Sequence, residues 1–362
     1  MPRIRMLSAV SRSVEGMSNP LRTGVLGYGL GGQVFHAPLI AADPAYALTT
    51  IVTGNPERAA QATERYGADV VVPDADALFA RAGQLDLVVI TSPNDTHVPL
   101  AHRALDAGLD VVVDKPFALT AAEAGEVIAH ADSVGRRVAV FQNRRWDGDY
   151  LTVRALIASG ELGEVRQFES AFEWWKPELG AKQWKNEATP AEGGGILYDL
   201  GPHLIDQALQ LFGEVDVEGG GVYAELDSRR EGAVNDDDSF VSLTHRSGVR
   251  SRLWMSAVSP ANRPRFRVVG SRAVFESWGL DPQENQLQDG VGTDDPAFGL
   301  SEENPVGVLR APGEAREVVL ERGDYPGFYR ALAEALRTGA PLPVDPRDSE
   351  QVLRIIERAH RG

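Results

Sequence analysis

The chain has no cysteine, which excludes a disulfide, a thiolate nucleophile and any cysteine-ligated zinc or iron–sulfur centre. No apolar run reaches the roughly 20 residues that a membrane-spanning helix requires. The N-terminal MPRIRMLSAVSRSVEGMSNP meets charge too early to hold the apolar core of a signal peptide. Aromatic residues are sparse at 7%, and Lys+Arg (36) are outnumbered by Asp+Glu (52), for a formal net charge of -16. Both a nucleic-acid backbone and an anionic membrane would call for a broad positive field, so neither is an expected partner. A cytoplasmic setting is expected.

What is present is the composition of a globular protein, 43% hydrophobic and 24% charged over 362 residues, a length that exceeds one hydrophobic core and predicts two domains. Strand-like sequence begins only after Pro20. Residues 1–20 are therefore expected to be a disordered tail, or the product of a start codon set too early, with Met17 as the true start.

From Leu21 to Phe141 short apolar runs alternate with helix-like segments. The runs are Thr23 to Leu26, Ala47 to Thr53, Asp69 to Val72, Leu85 to Thr91, Asp110 to Val113 and Arg137 to Phe141. Most are rich in Val, Ile and Leu without polar alternation, as in strands covered on both faces. Strand and helix in alternation predict an α/β domain with a doubly wound parallel sheet over 21–141. Beyond it the pattern becomes α+β: hairpin turns at RSG (246–248) and GSR (270–272) predict an open, mainly antiparallel sheet with helices on one face in a second domain, 142–362. Leu280 to Tyr325 reads as mostly loop, followed by helices at Gly327 to Arg337 and Ser349 to His360.

GYGLGGQVFHAPLI follows the first strand and opens a helix. In that setting Gly27-x-Gly29-x-x-Gly32, with Tyr28, Leu30 and Gly31 between, predicts dinucleotide binding. Gly27 permits the turn, Gly29 admits the pyrophosphate, and the helix N-terminus directs N–H groups at it. At the end of the second strand an NAD site carries an acid, about 20 residues past the loop, for the ribose 2'-hydroxyl. Here Thr53, Gly54 and Asn55 stand instead, and Arg58 follows. Removing the acid removes its repulsion of a 2'-phosphate, so NADP is favoured, with NAD possible. TGNPE is also an ordinary helix-entry turn.

Two further strand ends point into the same crevice. ITSPNDTHVPL offers Ser92, Pro93, Asn94 and His97 to the cofactor, with His97 reading equally as a helix-surface residue, and VVVDKPFALT offers Asp114 and Lys115. Lysine is scarce in this arginine-rich chain, and one at the end of a buried strand reads as a functional group or as half of a salt bridge. GGGILYDLGPHLID then sets Asp199 and His203 four residues apart, on one face of a helix. The pair reads as metal ligands, as an acid/base pair, or as a cap (Asp199) and a packed residue (His203) of a helix that Pro202 begins. Zinc wants three or four ligands, and neither HExxH nor a cysteine cluster accompanies the pair, so no metal is expected.

The glycine loop, SPNDTH, DKP and GGGILYDLGPH, in this order, resemble the Gfo/Idh/MocA family of NAD(P)-dependent oxidoreductases. QNRRWDGDYLT, LYDLGPHLIDQ and ANRPRF resemble most the branch that holds NADP-dependent scyllo-inositol dehydrogenase. The resemblance implies a Rossmann domain and a catalytic set of Lys115, Asp199 and His203. In it the lysine contacts the nicotinamide ribose and the substrate hydroxyl, the histidine is general base, and the aspartate orients substrate or imidazole. Asp114 departs from the family's usual Glu, and Gln142 stands where the branch often has His.

An imidazole with an unperturbed pKa of about 6.5 suits transfer of a hydroxyl proton as hydride leaves for the nicotinamide. Arg144, Arg145 and Trp146 are expected to bind substrate hydroxyls or to join the domains. Trp174 is expected to stack on a sugar ring or to pack on the sheet. The expected substrate is a cyclic polyol, inositol or sugar. The alternatives are a nucleotide-binding sensor on the same fold and the same chemistry on a non-sugar substrate. An open sheet would expose apolar surface, and its burial predicts a homodimer or homotetramer.

Overall fold

The structure, a computed structural model, describes residues 19–179 and 188–362. The expectation for residues 1–18 lies outside the described residues.

Six strands, β1 (Leu21–Leu26), β2 (Tyr46–Val52), β3 (Val71–Val72), β4 (Leu87–Ile90), β5 (Asp110–Val113) and β6 (Val138–Val140), form one sheet. Its order is β3-β2-β1-β4-β5-β6 and every pairing is parallel. The continuous LVVI and VVV runs of β4 and β5 are buried throughout, because helices cover both faces. The order reverses between β1 and β4, the switch point at whose carboxyl ends doubly wound sheets form the crevice that takes their ligands.

The helices between these strands are α1 (Ala37–Ala42), α2 (Pro56–Tyr66), α3 (Ala75–Phe79), α4 (His97–Asp106) and α5 (Ala121–Val134). Their ends follow local chemistry. Asn55 accepts the N–H of Arg58 at 3.0 Å to start α2, and Thr120 with Glu123 makes a capping box for α5.

After α6 (Gly148–Ala158) come β7 (Val165–Glu173), α7 (Ile196–Phe212), β8 (Val222–Asp227), β9 (Asp238–Thr244), β10 (Arg250–Ser256), β11 (Phe266–Gly270) and β12 (Val274–Ser277). With β13 (Val306–Ala311) and β14 (Glu314–Val319) they build a second sheet in the order β14-β13-β12-β11-β7-β10-β9-β8. Only β7 and β10 among these pairs run parallel. Alternate residues Phe168, Val241, Leu253 and Met255 are buried on its inner face, where α7 packs across β7 and β10.

The segment 280–325 corrects the expectation of a loop. It holds α8 (Gln283–Gln288) and the β13–β14 hairpin. The edge strand β14, EAREVV, is exposed at nearly every position, so burial imposes no apolar alternation on it. In β13 a glycine stands where packing needs it: a Cβ on Gly307 would lie 2.5 Å from the Phe275 ring.

The last helices, α9 (Pro326–Thr338) and α10 (Pro346–Arg361), return to the first sheet. Helix α9 packs on α1, where the Tyr329 hydroxyl lies 2.7 Å from His36 Nδ1 and Tyr46 donates to the Tyr329 carbonyl at 2.6 Å. Helix α10 packs on both α5 and α7 and so joins the two sheets' layers.

The outer face of the second sheet is mixed rather than apolar, which corrects the expectation of a large apolar surface. Tyr223, Phe240 and Trp254 form a row with ring separations of 6.4 and 5.3 Å. Beside them Arg252, Arg267 and Arg310 pair with Glu169 and Glu276. A shallow cavity of about 350 Å³ lined by Glu169, Arg252, Trp254, Arg263, Pro264 and Arg267 belongs to this face, on the far side of the sheet from α7.

Candidate active site

The glycine loop leaves β1 and turns against the end of β4. Gly27 has φ of +114°, and a Cβ there would lie 2.6 Å from the Thr91 carbonyl oxygen. Helix winding starts at Gly31 with a wide turn in which the Ala37 N–H reaches the Gly32 carbonyl. Side chains at Gly31 and Gly32 would collide with Thr91 Oγ1 and with the Gly27 carbonyl, at 2.1 and 2.2 Å. Gly29 differs: a Cβ there would meet nothing nearer than Arg58 Nη1, at 3.9 Å. No protein neighbour requires glycine at that point, so the open cradle fits a ligand drawn against the backbone. Tyr28 turns inward onto Tyr66, and Leu30 is exposed.

Arg58 is exposed on the first turn of α2, next to this cradle. Asn55 spends its side-chain oxygen on the α2 cap, and Thr53 Oγ1 accepts the Asn55 N–H at 3.3 Å. These two therefore shape the turn that presents Arg58.

The ends of β4 and β5 are tied together. His97 is buried, and its ring nitrogens lie 2.9 Å from the Pro116 carbonyl and 3.0 Å from the Ser92 carbonyl. Burial lowers its pKa, against the pull of Asp114 and of those carbonyls. The ring thus holds two loops and does not face the crevice. Ser92 shares a hydrogen bond with Thr96. Asn94, after Pro93, reaches across to Gly193, where a Cβ would sit 3.4 Å from Asn94 Nδ2. The SPNDTH and GGG stretches, far apart in sequence, are neighbours.

Asp114 accepts the Lys115 N–H at 2.8 Å and the Thr91 hydroxyl at 3.1 Å, and its Oδ2 is 3.5 Å from His36 Nε2. Burial disfavours its charge, but the neighbouring His36, then Lys115 and His97, outweigh that and hold the carboxyl below its ordinary pKa. Lys115, anchored through its own backbone, extends across the crevice. Its Nζ donates to the Asp199 carbonyl at 2.6 Å and lies 3.2 Å from Asp199 Oδ1.

Asp199 and His203 lie on α7, which begins at Ile196 with Pro202 inside it. The reading of Asp199 as the cap of a helix begun by Pro202 is therefore corrected. The start is capped by Asp236, whose carbonyl and Oδ2 accept the N–H groups of Ile196 and Leu197, each at 2.8 Å. Asp199 instead sits in the first turn, facing Lys115. His203 is 5% exposed, and among the described residues its Nδ1 has no hydrogen-bond partner. Burial first, then the charges of Lys115, Arg144 and Arg265, hold its pKa well below the ordinary value. The imidazole is thereby held in its neutral form at pH 7, the form that can take up a proton. Among the described residues no group of three or more His, Cys, Asp or Glu is arranged to hold a metal.

The RRW stretch forms a buried junction. Arg145 makes a two-pronged ion pair with Asp206 at 2.7 and 2.6 Å and a further bond to Asp348 at 2.9 Å, tying the turn to α7 and α10. Arg144 pairs with Glu284 at 2.8 Å and lies 4.8 Å over the Phe172 ring. Trp146 packs edge-on against Phe328, and Trp174 edge-on against Phe172. Each of these four is committed to protein neighbours. Three groups that sequence reasoning missed complete the surroundings: Asp236, Gln207 and Arg265. ANRPRF and NDDD carry the last and first of them, and no spacing ties either to α7.

Residues 21–142 match the oxidoreductase family with an NAD-binding Rossmann fold, and residues 150–276 match the Gfo/Idh/MocA C-terminal domain. The oxidoreductase YdgJ of Escherichia coli is 40% identical over 344 residues, covering 94% of this chain and 96% of that protein. The NADP-dependent scyllo-inositol 2-dehydrogenase IolW of Bacillus subtilis is 33% identical over 348 residues, covering 94% and 92%. An oxidoreductase structure from Yersinia pestis superposes with a TM-score of 0.86 at 36% identity, covering 95% of each chain. The motifs that meet in the crevice are thus carried by relatives that match nearly end to end, and the chain belongs to the Gfo/Idh/MocA family of oxidoreductases.

Proposed function

We propose that the protein is an NADP-preferring oxidoreductase that moves a hydride between the nicotinamide and a secondary alcohol or ketone of a cyclic polyol, inositol or sugar. The observation that carries the reading is the meeting of Lys115 with Asp199, one helical turn before the buried, neutral imidazole of His203, beside the glycine loop. When bound, the nicotinamide supplies the hydride acceptor or donor. His203 takes the hydroxyl proton in the oxidative direction and returns it in the reductive one. The Lys115 ammonium faces the oxygen on which negative charge develops and stabilises it. Asp199 holds that ammonium in place. The loop from Gly27 to Gly32 would hold the pyrophosphate, and Arg58 a 2'-phosphate that no carboxylate at Thr53 to Asn55 repels.

The name of the Bacillus subtilis relative supports both the cofactor preference and the inositol-like substrate. A cytoplasmic setting goes with this reading, since the reaction draws on the nicotinamide pool of the cell interior; among the described residues no helix is long and apolar enough to cross a membrane. The aromatic row and the charged ladder on the outer sheet face are suited to a self-complementary contact, so we propose a homodimer or homotetramer. A monomer by light scattering at micromolar concentration would sink that part alone.

The test is a panel of cyclitols, aldoses and keto sugars assayed with NAD and NADP in parallel. Turnover of a cyclic polyol or sugar with the lower KM for NADP is expected. Turnover only of imines or dihydrodiols would overturn the substrate class. NADPH binding without turnover of any substrate would favour a sensor.

A further inference from the structure

Helix α7 presents Asp199, His203 and Gln207 at successive intervals of four, so the three lie along one face. The first meets Lys115. The third is fully buried and divides its amide: Nε2 donates to the Arg144 carbonyl at 2.8 Å, and Oε1 accepts from Arg265 Nη2 at 3.1 Å. Arg265 is 3% exposed, lies 4.2 Å over the Phe266 ring and 5.8 Å over Phe172, and reaches Asp149 Oδ2 at 3.7 Å. Two guanidiniums, Arg144 from the RRW turn and Arg265 from the entry to β11, therefore converge on Phe172 behind α7. His203 lies on the same helix face, one turn from Asp199, which meets Lys115, and one turn from Gln207, which meets both arginines.

We propose that Arg265, held by Gln207, is a positioning residue for proton transfer, acting through His203 by setting the charge that the imidazole feels from behind. The inference rests on the reading of His203 as the proton acceptor. The groups that bear on that ring are Lys115 from the end of β5, Arg144 from the RRW turn and Arg265 from β11, all positive, with Asp199 one turn earlier on α7. In a buried site a nearby cation disfavours the imidazolium. A proton taken from the substrate is thus held loosely and passed on.

The cluster carries its own counter-charges. Arg144 faces Glu284 and Asp147, and Arg265 faces Asp149. Burial raises the Asp149 carboxyl to about 6, even beside Arg265. With Arg265 neutralised, Asp149 takes up a proton and is not stranded as a bare buried charge. An Arg265→Gln variant is therefore expected to fold.

The experiment compares wild type, Arg265→Gln and Arg265→Lys by the pH dependence of kcat/KM for NADP-linked alcohol oxidation, and by NMR titration of the His203 ring without substrate. In Arg265→Gln the acid limb and the His203 titration should both move up by about one pH unit, a tenfold rate loss on the limb. Arg265→Lys should restore them. Rate falling equally at all pH values, with the His203 titration unmoved, would overturn the proposal and leave Arg265 a packing residue. If Arg265→Gln fails to fold, Gln207→Glu places a carboxylate between the two groups and should move the titration up in the same way; no movement there overturns the proposal too. Absence of turnover on every substrate would overturn the proposed function and this inference with it, whereas turnover with an unmoved His203 titration would overturn this inference alone.

Discussion

Lys115 and Asp199 are 84 positions apart, yet the lysine Nζ donates to the aspartate carbonyl at 2.6 Å and lies 3.2 Å from its Oδ1. The bond crosses from the end of β5 to the first turn of α7, so it joins the first sheet to the helix that carries His203. Neither side is free to drift. Asp114 fixes the lysine backbone through its own carboxylate, and Asp236 fixes the start of α7.

Lys115→Met keeps the length of the side chain and removes its charge. Loss of a donor aimed at a developing oxyanion costs about 10²- to 10³-fold in kcat. NADPH affinity, carried by the loop, should change little. Steady-state kinetics beside a fluorescence titration with NADPH checks both, and an unchanged kcat would remove Lys115 from the mechanism.

The glycine loop separates ligand from fold. Gly29→Ala adds a methyl group into open space, so the melting temperature should stay within a degree or two while NADPH binding weakens at least about tenfold. Gly32→Ala drives a methyl into the Gly27 carbonyl, at 2.2 Å, and should lower both stability and binding. Thermal melts with and without NADPH distinguish the two. Equal behaviour of the variants would argue against a ligand at Gly29.

Cofactor preference turns on Arg58. Arg58→Ala should raise the Kd for NADPH about tenfold, the worth of one charge-assisted contact, and leave the Kd for NADH nearly unchanged. Raising salt should weaken NADPH binding more in the wild type than in the variant. A parallel loss for both nucleotides would assign Arg58 to the pyrophosphate or to the fold.

His203 gives a pH signature with a definite sign. Its pKa in the folded protein lies well below 6.5, held down by burial and by Lys115, Arg144 and Arg265. Alcohol oxidation needs the neutral ring, so kcat/KM should stay flat as pH falls through 6.5 and decline only lower. The unfolded chain binds this proton more readily, so the ring also lowers stability as pH falls below 6.5. His203→Asn should abolish turnover, keep NADPH affinity, and remove this part of the acid sensitivity. Loss of turnover and affinity together would return His203 to a structural role.

Much of this was legible in the sequence, for physical reasons. Strands buried on both faces, such as β4 and β5, have no polar alternation to obscure them, and a glycine loop between strand and helix has little else to do. Lys115, Asp199 and His203 were named because a rare residue type or a helical interval marked each. What stayed hidden is what long-range packing supplies. Asp236 caps α7 from 39 positions away, and Arg265 meets Gln207 from 58. For His97 the sequence offers the crevice or the helix surface, and its buried ring bonds to two loop carbonyls. The β13–β14 hairpin was hidden because its edge strand is exposed and polar.

The same distinction can be measured at Arg145, for which sequence offered substrate binding or a junction between domains. Its side chain is 9% exposed and its bonds run to Asp206 and Asp348, so it holds the RRW turn against α7 and α10. Removing one partner of a buried pair leaves the other charge uncompensated, at a cost of about 3–5 kcal/mol. Asp206→Leu leaves Arg145 only the partly exposed Asp348 and should therefore lower stability by the lower part of that range in urea denaturation. The double variant Arg145→Met with Asp206→Leu should recover at least half of the loss, because no bare charge remains. For a substrate-binding arginine the single variant Arg145→Met would raise KM without touching stability. A junction residue gives the opposite: a large stability change, with KM following only as far as α7 is displaced.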